Sequence, residues 1–262
     1  MNRGAALVAL VVLAAAGCSG GVDESTNGQP LADTVALLPP YEAVPLDVVG
    51  RIEGTVIWDG PTPAATTVRL ADSLARVCRA SSLRLTSVRV VRGGVMESVV
   101  WLDGIRRGKA LPASRRFEVA TDRCRLTPAV QPAIAGGILN VLSLDRLVHR
   151  LQFTRAGTEG TVGRVEQFDE GQVVPLETIL RLPGPVSVRS DRFSWMEASI
   201  HVFDHPYFAM TEAGGAFTID SVPPGEHTLV VWHPVTGQRD TTISVGGGDT
   251  VQVRLVIGAN EA

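Results

Sequence analysis

The chain has 262 residues, 45% of them hydrophobic and 19% charged, with a formal net charge of −3. That composition supports a buried core, excludes wholesale disorder, and implies no basic surface for nucleic acid. Aromatics are scarce at 5%, while 27 glycines, 16 prolines and recurrent valine favour strands and turns over a helical bundle.

Residues 1–18 combine a positive start at Arg3, an apolar run over 5–16 and small residues leading into Cys18. About a dozen apolar residues is too short for a spanning helix, which takes roughly 20. The stretch Leu13-Ala14-Ala15-Ala16-Gly17-Cys18 resembles the lipobox of bacterial lipoproteins, with Ala15 where that family prefers Leu. The resemblance implies a signal peptide over residues 1–17, a diacylglyceryl group on Cys18, and a membrane partner reached through that lipid. Ser19 after the cysteine implies, on the same resemblance, the outer membrane, facing the periplasm or the cell surface. An ordinary signal peptide cut at an Ala-x-Ala-like site is the alternative. Residues 18–48 carry Ser19-Gly20-Gly21, Asn27-Gly28, Pro39-Pro40 and Pro45 without a sustained period, so a flexible tether is expected there.

With Cys18 lipidated, Cys78 and Cys124 remain as an even pair in an oxidising compartment, and a disulfide between them is expected. Two buried free thiols are the alternative. A zinc site would need His or carboxylate partners at ligand spacing, and none lies near either cysteine.

From Gly50 onward short β-like runs alternate with turn residues. Residues 54–58 end at Asp59-Gly60-Pro61, residues 83–91 alternate with period 2, and residues 98–102 stop at Asp103-Gly104. Residues 137–142 follow two glycines, and only residues 72–80 read as helix. Further on, residues 217–219 lead into the Val222-Pro223-Pro224-Gly225 turn, and residues 226–233 form an increasingly apolar strand. Residues 241–245 and 250–255, separated by glycines, are expected to form a hairpin with Val251, Val253 and Leu255 on one face. The expected class is all-β.

The order Thr211, Gly214-Gly215-Ala216-Phe217-Thr218-Ile219, Val222-Pro223-Pro224-Gly225, Leu229-Val230-Val231-Trp232 resembles the carboxypeptidase regulatory-like module, a small sandwich of the transthyretin and starch-binding-like kind. The resemblance implies such a domain over residues 204–262. No metallopeptidase His-x-x-Glu pattern occurs, so peptidase activity is not implied.

Cys124-Arg125-Leu126-Thr127-Pro128, Gly137-Ile138-Leu139-Asn140-Val141, Asp145 to His149, and Leu182 to Met196 resemble the cupredoxins. That implies a Greek-key sandwich, assigned to residues 49–203 and followed by the smaller one. In that family the last stretch supplies Cys, His and Met, with a second His upstream. Here His149 and Met196 stand at the upstream and axial positions, but Ser190 replaces the thiolate and Phe193 an imidazole. Blue copper needs two imidazoles and a thiolate with a weak axial ligand. The site is therefore read as degenerate, with no cofactor expected. Residues 54–58 also resemble the opening strand of the regulatory-like module, which would make the cupredoxin-like part an insertion.

Other candidates are weaker. His201 and His205 lie about 13 Å apart along a strand, too far to share an ion, and His205-Pro206-Tyr207 reads as a junction turn. His233 reads as a strand-end cap, and the arginine pairs 106–107 and 115–116 as solvated turn charges. No nucleophile elbow or phosphate loop occurs, and Ser190 and Asp191 point to opposite faces of a strand. The sequence thus describes a non-catalytic envelope lipoprotein that binds or scaffolds a protein or carbohydrate ligand. The alternatives are a carbohydrate-binding module using Trp101, Trp195, Trp232, Tyr207 or Phe208, and a metal-handling or electron-transfer protein with an altered site.

Overall fold

The strand Gly50–Asp59 buries Ile52, Val56 and Trp58 and leaves Arg51 and Asp59 in solvent, the alternation of a half-buried strand. In the computed structural model, which describes residues 40–157, 160–167 and 169–258, this strand belongs to the C-terminal sandwich. It pairs in parallel with Thr250–Gly258 along its whole length and antiparallel with Ala216–Val222. The expected signal peptide, Cys18 and the expected tether up to residue 39 lie outside the described residues.

The protein is all-β, with two sandwiches, and one is nested inside the other. The expected boundary at residues 49–203 is corrected in favour of the insertion: residues 50–59 and 99–103 pair with strands from 208–258, and 94–95 pairs with 50–59. A parallel pair cannot be closed by a tight turn, and here the rest of the chain serves as the crossover. The sheet opposite holds Phe208–Met210, Val99–Asp103, Gly225–His233 and Gly237–Val245, in that order. Its two central strands read as unbroken apolar runs because both of their faces are covered. Val100, Leu102, Leu229 and Val231 enter the core of this sandwich, while Val99, Trp101 and Val230 meet Val130 and Phe203 of the inserted one.

Two local expectations change. Residues 241–245 and 250–255 are not a hairpin. Gly237–Val245 pairs with Gly225–His233, and Thr250–Gly258 with Gly50–Asp59 in the facing sheet. The chain arches over the core because Val245 and Leu255 must reach it from opposite sides. The alternating run 83–91 breaks in two. Ser82–Leu85 pairs with Thr66–Arg69, whereas Val90–Val91 pairs with Gly94–Val95 and Val88 is buried in the enclosing core. Thr66–Arg69, the helix Asp72–Cys78 and Ser82–Leu85 thus form a separate arm.

The inserted sandwich spans residues 116–203. One sheet has the order Arg125–Thr127, Arg116–Asp122, Ile138–Ser143, Val173–Leu176. The other runs Val130–Ile134, Glu197–Phe203, Gly184–Ser190, His149–Arg155, Thr161–Gln167. Leu139, Val141, Leu151, Phe153, Val188 and Ile200 form the centre of its core.

The two crossings between sandwiches are tied to each other. Arg106 bridges Asp204 at 2.6 Å, and Arg107 bridges Glu42 at 3.1 Å, so this pair is engaged rather than merely solvated. The Tyr207 hydroxyl accepts the Lys109 N–H at 2.7 Å, and the Tyr41 hydroxyl donates to the Lys109 carbonyl at 2.6 Å. Glu42–Ala43 pairs with Arg107–Gly108, which fixes the last part of the expected 18–48 tether. Gly108 has φ +153°, and a Cβ there would collide with the Tyr207 hydroxyl.

Candidate functional site

The loop between Gly184–Ser190 and Glu197–Phe203 is closed by backbone bonds from Ser190 N–H to Met196 O at 3.1 Å and from Met196 N–H to Phe193 O at 2.9 Å. Inside it the Ser190 hydroxyl oxygen accepts the N–H groups of Arg192 and Phe193, both at 3.2 Å, in a serine turn. Phe193 and Met196 point into the core of the inserted sandwich. His149 opens its strand two residues before Leu151, the register partner of Ser190. Its ring is fully buried, 6.1 Å from the Phe193 ring and edge-on to it. His149, Ser190, Phe193 and Met196 thus come to one end of the inserted sandwich.

These residues do not fit blue copper. Ser190, expected from the resemblance at the thiolate position, has its hydroxyl already used as a backbone acceptor, and Phe193, expected at the second imidazole position, is a phenyl ring. One imidazole and one thioether remain, which is short of the donor set that copper(II) takes in such sites. Among the described residues no group of three or more His, Cys, Asp or Glu gathers as a metal would require.

Two neighbours were not singled out in the sequence. Asp145 is buried, accepts the Cys124 N–H at 2.8 Å and lies 3.4 Å from His149 Nε2. Gln167, the register partner of His149, donates to the Val141 carbonyl at 2.8 Å. The Asp145-to-His149 spacing is visible in the sequence, but nothing there signals that the carboxylate turns inward to a cysteine N–H.

A disulfide joins Cys78 to Cys124 with Cα atoms 5.3 Å apart, and it fastens the arm to the inserted sandwich. Around it pack Leu83 and, partly buried, Leu70, Leu74, Leu85, Leu147 and Trp195. The Trp195 indole N–H donates to the Cys124 carbonyl at 3.0 Å. Beside the arm a cleft of about 580 Å³ opens between the two sandwiches, bordered by Thr66, Leu85, Glu97, Trp195, Glu197 and His233.

The junction itself is a run of rings. His201 stacks on Phe203 at 4.6 Å and contacts Trp101 and Trp232, Phe203 stacks on Phe208 at 4.7 Å, and His205 lies 5.5 Å from Phe203. Burial holds His201, His205 and His233 neutral, with pKa values lowered to about 4. His201 and His205 serve packing rather than ligation. Of the five rings considered for sugar binding, Trp101 and Tyr207 are buried, Trp232 and Phe208 pack at the junction, and Trp195 lines the cleft.

Compared with known proteins, the chain matches no family model and no curated protein. Among solved structures it is similar to a copper-containing nitrite reductase from Thermus scotoductus SA-01, with 13% identity and a TM-score of 0.30 over 39% of this chain. That alignment spans only 24% of the reductase. A purple cupredoxin from Nitrosopumilus maritimus aligns with 10% identity and a TM-score of 0.28 over 33% of this chain and 99% of its own. Auracyanin from Roseiflexus castenholzii aligns with 11% identity and a TM-score of 0.29 over 35% of this chain and 99% of its own.

Proposed function

We propose that the protein is a non-catalytic envelope lipoprotein that works as a binding module, with a cupredoxin-like sandwich nested in a carboxypeptidase regulatory-like one. The observation that carries this reading is the closed copper position. Ser190 Oγ is turned to its own backbone and the Phe193 ring stands against His149. The purified protein is expected to remain colourless with added copper(II), and its melting temperature to move by less than about 1 °C, because a weakly held ligand stabilises little. Ser190→Cys combined with Phe193→His should bring back some blue or green absorption. Intense colour in the unmodified protein would refute the reading.

Metal handling at an altered site is the second reading. It draws on His149, whose two ring nitrogens have no hydrogen bond. Tight copper binding without colour, lost in His149→Phe, would favour it.

Anchoring rests on the lipobox-like run ending at Cys18 and is tested separately. Cys18→Ser should abolish palmitate labelling and move the protein from the membrane fraction to a soluble or uncleaved exported form. Labelling that survives the substitution rules the anchor out.

A further inference from the structure

We infer that the cleft beneath the Thr66–Leu85 arm is a binding site for an anionic polysaccharide chain, which gives a ligand class to the binding-module reading and rests on it. The cleft has two lobes of about 580 and 540 Å³ that share Leu85, Thr86, Glu97, Ala129, Trp195 and Glu197. Each lobe falls in the range of roughly 300–1,000 Å³ usual for ligand sites. The arm forms one wall, the inserted sandwich a second, and Glu97 with the 233–235 segment of the enclosing sandwich a third.

The groups in the inner lobe suit a sugar. The Trp195 ring is oriented by its bond to the Cys124 carbonyl and by Phe193 at 5.2 Å, and it presents a rigid aromatic surface of the kind that packs against sugar C–H faces. His233 Nδ1 accepts the Val235 N–H at 3.2 Å, which leaves the proton of the neutral ring on Nε2 as a donor. Glu97 and Glu197 are held by Arg89 at 2.8 Å and Arg189 at 2.7 Å, and their remaining lone pairs can accept hydroxyl protons.

The outer lobe sets three arginines, Arg84, Arg89 and Arg125, against two glutamates, Glu97 and Glu197, each of which is already paired with an arginine. Arg125 Nη2 donates to the Arg84 carbonyl at 2.7 Å, so these two arginines are neighbours, and both border the lobe. Neither has a carboxylate partner among the described residues. Arg69 shares a hairpin face with Arg84, as strand alternation and the register dictate, and lines neither lobe. Residues 66–92 hold six arginines and a single acid, Asp72, on a chain whose net charge is −3. Guanidinium groups grip carboxylate, sulfate and phosphate oxygens in pairs, and a local positive field draws a polyanion in. A flat anionic membrane could touch the arm, but it could not reach His233 and Trp195 between three walls. A single extended chain can.

The test uses the full-length protein in neutral detergent micelles, with polygalacturonate, dextran, poly-L-glutamate and added phosphatidylglycerol as probes. Polygalacturonate should bind and change tryptophan fluorescence, and dextran should not. Trp195→Ala and the pair Arg84→Ala with Arg125→Ala should each weaken binding about tenfold or more, the loss expected for a charged or stacked contact. A thermal melt checks both variants, because Arg125 also bonds the arm through the Arg84 carbonyl, and Arg84→Ala alone leaves that bond in place. Absence of polygalacturonate binding overturns the inference, and so does binding indifferent to both variants. Equal or tighter binding of poly-L-glutamate or phosphatidylglycerol would show a peptide or lipid partner instead. Those failures leave the anchoring and copper results untouched, since these depend on Cys18 and on the Ser190 loop.

Discussion

Acidification from pH 7 to pH 4 should remove much of the protein's stability through His201, His205 and His233. Each stays neutral in the fold down to about 4, against an ordinary value of 6.5, chiefly because burial penalises the charged ring. For His205 the neighbouring Asp204 and Asp103 act in the opposite direction and Arg106 reinforces the lowering. The unfolded chain therefore binds more protons throughout that window, so stability is full above about 6.5 and falls as pH drops towards 4. At about 1.4 kcal/mol per tenfold difference in proton affinity, the penalty per histidine is on the order of 3 kcal/mol by the acid end. His201→Phe offers a clean control, because His201 Nδ1 has no hydrogen-bond partner and the ring already stacks on Phe203. That variant should match the parent near neutrality and exceed it in acid. Denaturant titrations across the range decide the matter: a flat profile, or a parent and variant that fall together, would contradict it.

Loss of the Cys78–Cys124 disulfide should be the largest single covalent effect. The bridge closes a separation of 46 residues. On the chain-entropy account that is worth about 4 kcal/mol. Both cysteines are buried, and their neighbours include Leu83 and Trp195. Cys78→Ser with Cys124→Ser should therefore lower the melting temperature clearly and release the arm, whose two strands form a sheet with no other strand among the described residues and keep only the Arg125 bond to the Arg84 carbonyl. Proteolysis should then cut first within residues 66–85. A double variant within about 1 kcal/mol of the parent, with the arm still protected, would show that packing alone holds the arm in place.

How much of this was legible varied with the range of the forces involved. Strand positions came through wherever one face is wet. Residues 250–255 alternate because solvent selects every second side chain, and the same pattern is present in their burial. The loop carrying Ser190, Phe193 and Met196 was legible because its ligand-like spacing is local. The Ser190 turn was not, since a hydroxyl at that position can face a metal, solvent or its own backbone. Pairing was the least visible. Glycines at 246–248 look the same in a hairpin and in an arch between sheets, and only the facing cores around Val245 and Leu255 select the arch.

The sequence by itself determined an all-β chain and the pattern of its half-buried strands, because both depend on side-chain chemistry and short-range periodicity; reading Ser190 and Phe193 as standing at copper-ligand positions came from the resemblance alone. The resemblance of residues 54–58 to an opening strand had suggested that they complete the C-terminal sandwich, and tertiary structure decided that residues 50–59 close it around the inserted one. It also decided that Asp145 turns in towards Cys124 and His149, and that Trp195 and His233 share a cleft with Arg84 at its mouth. Contacts between residues some two hundred positions apart depend on which faces remain to be buried once every strand has formed. A pattern read along the chain carries no record of that competition.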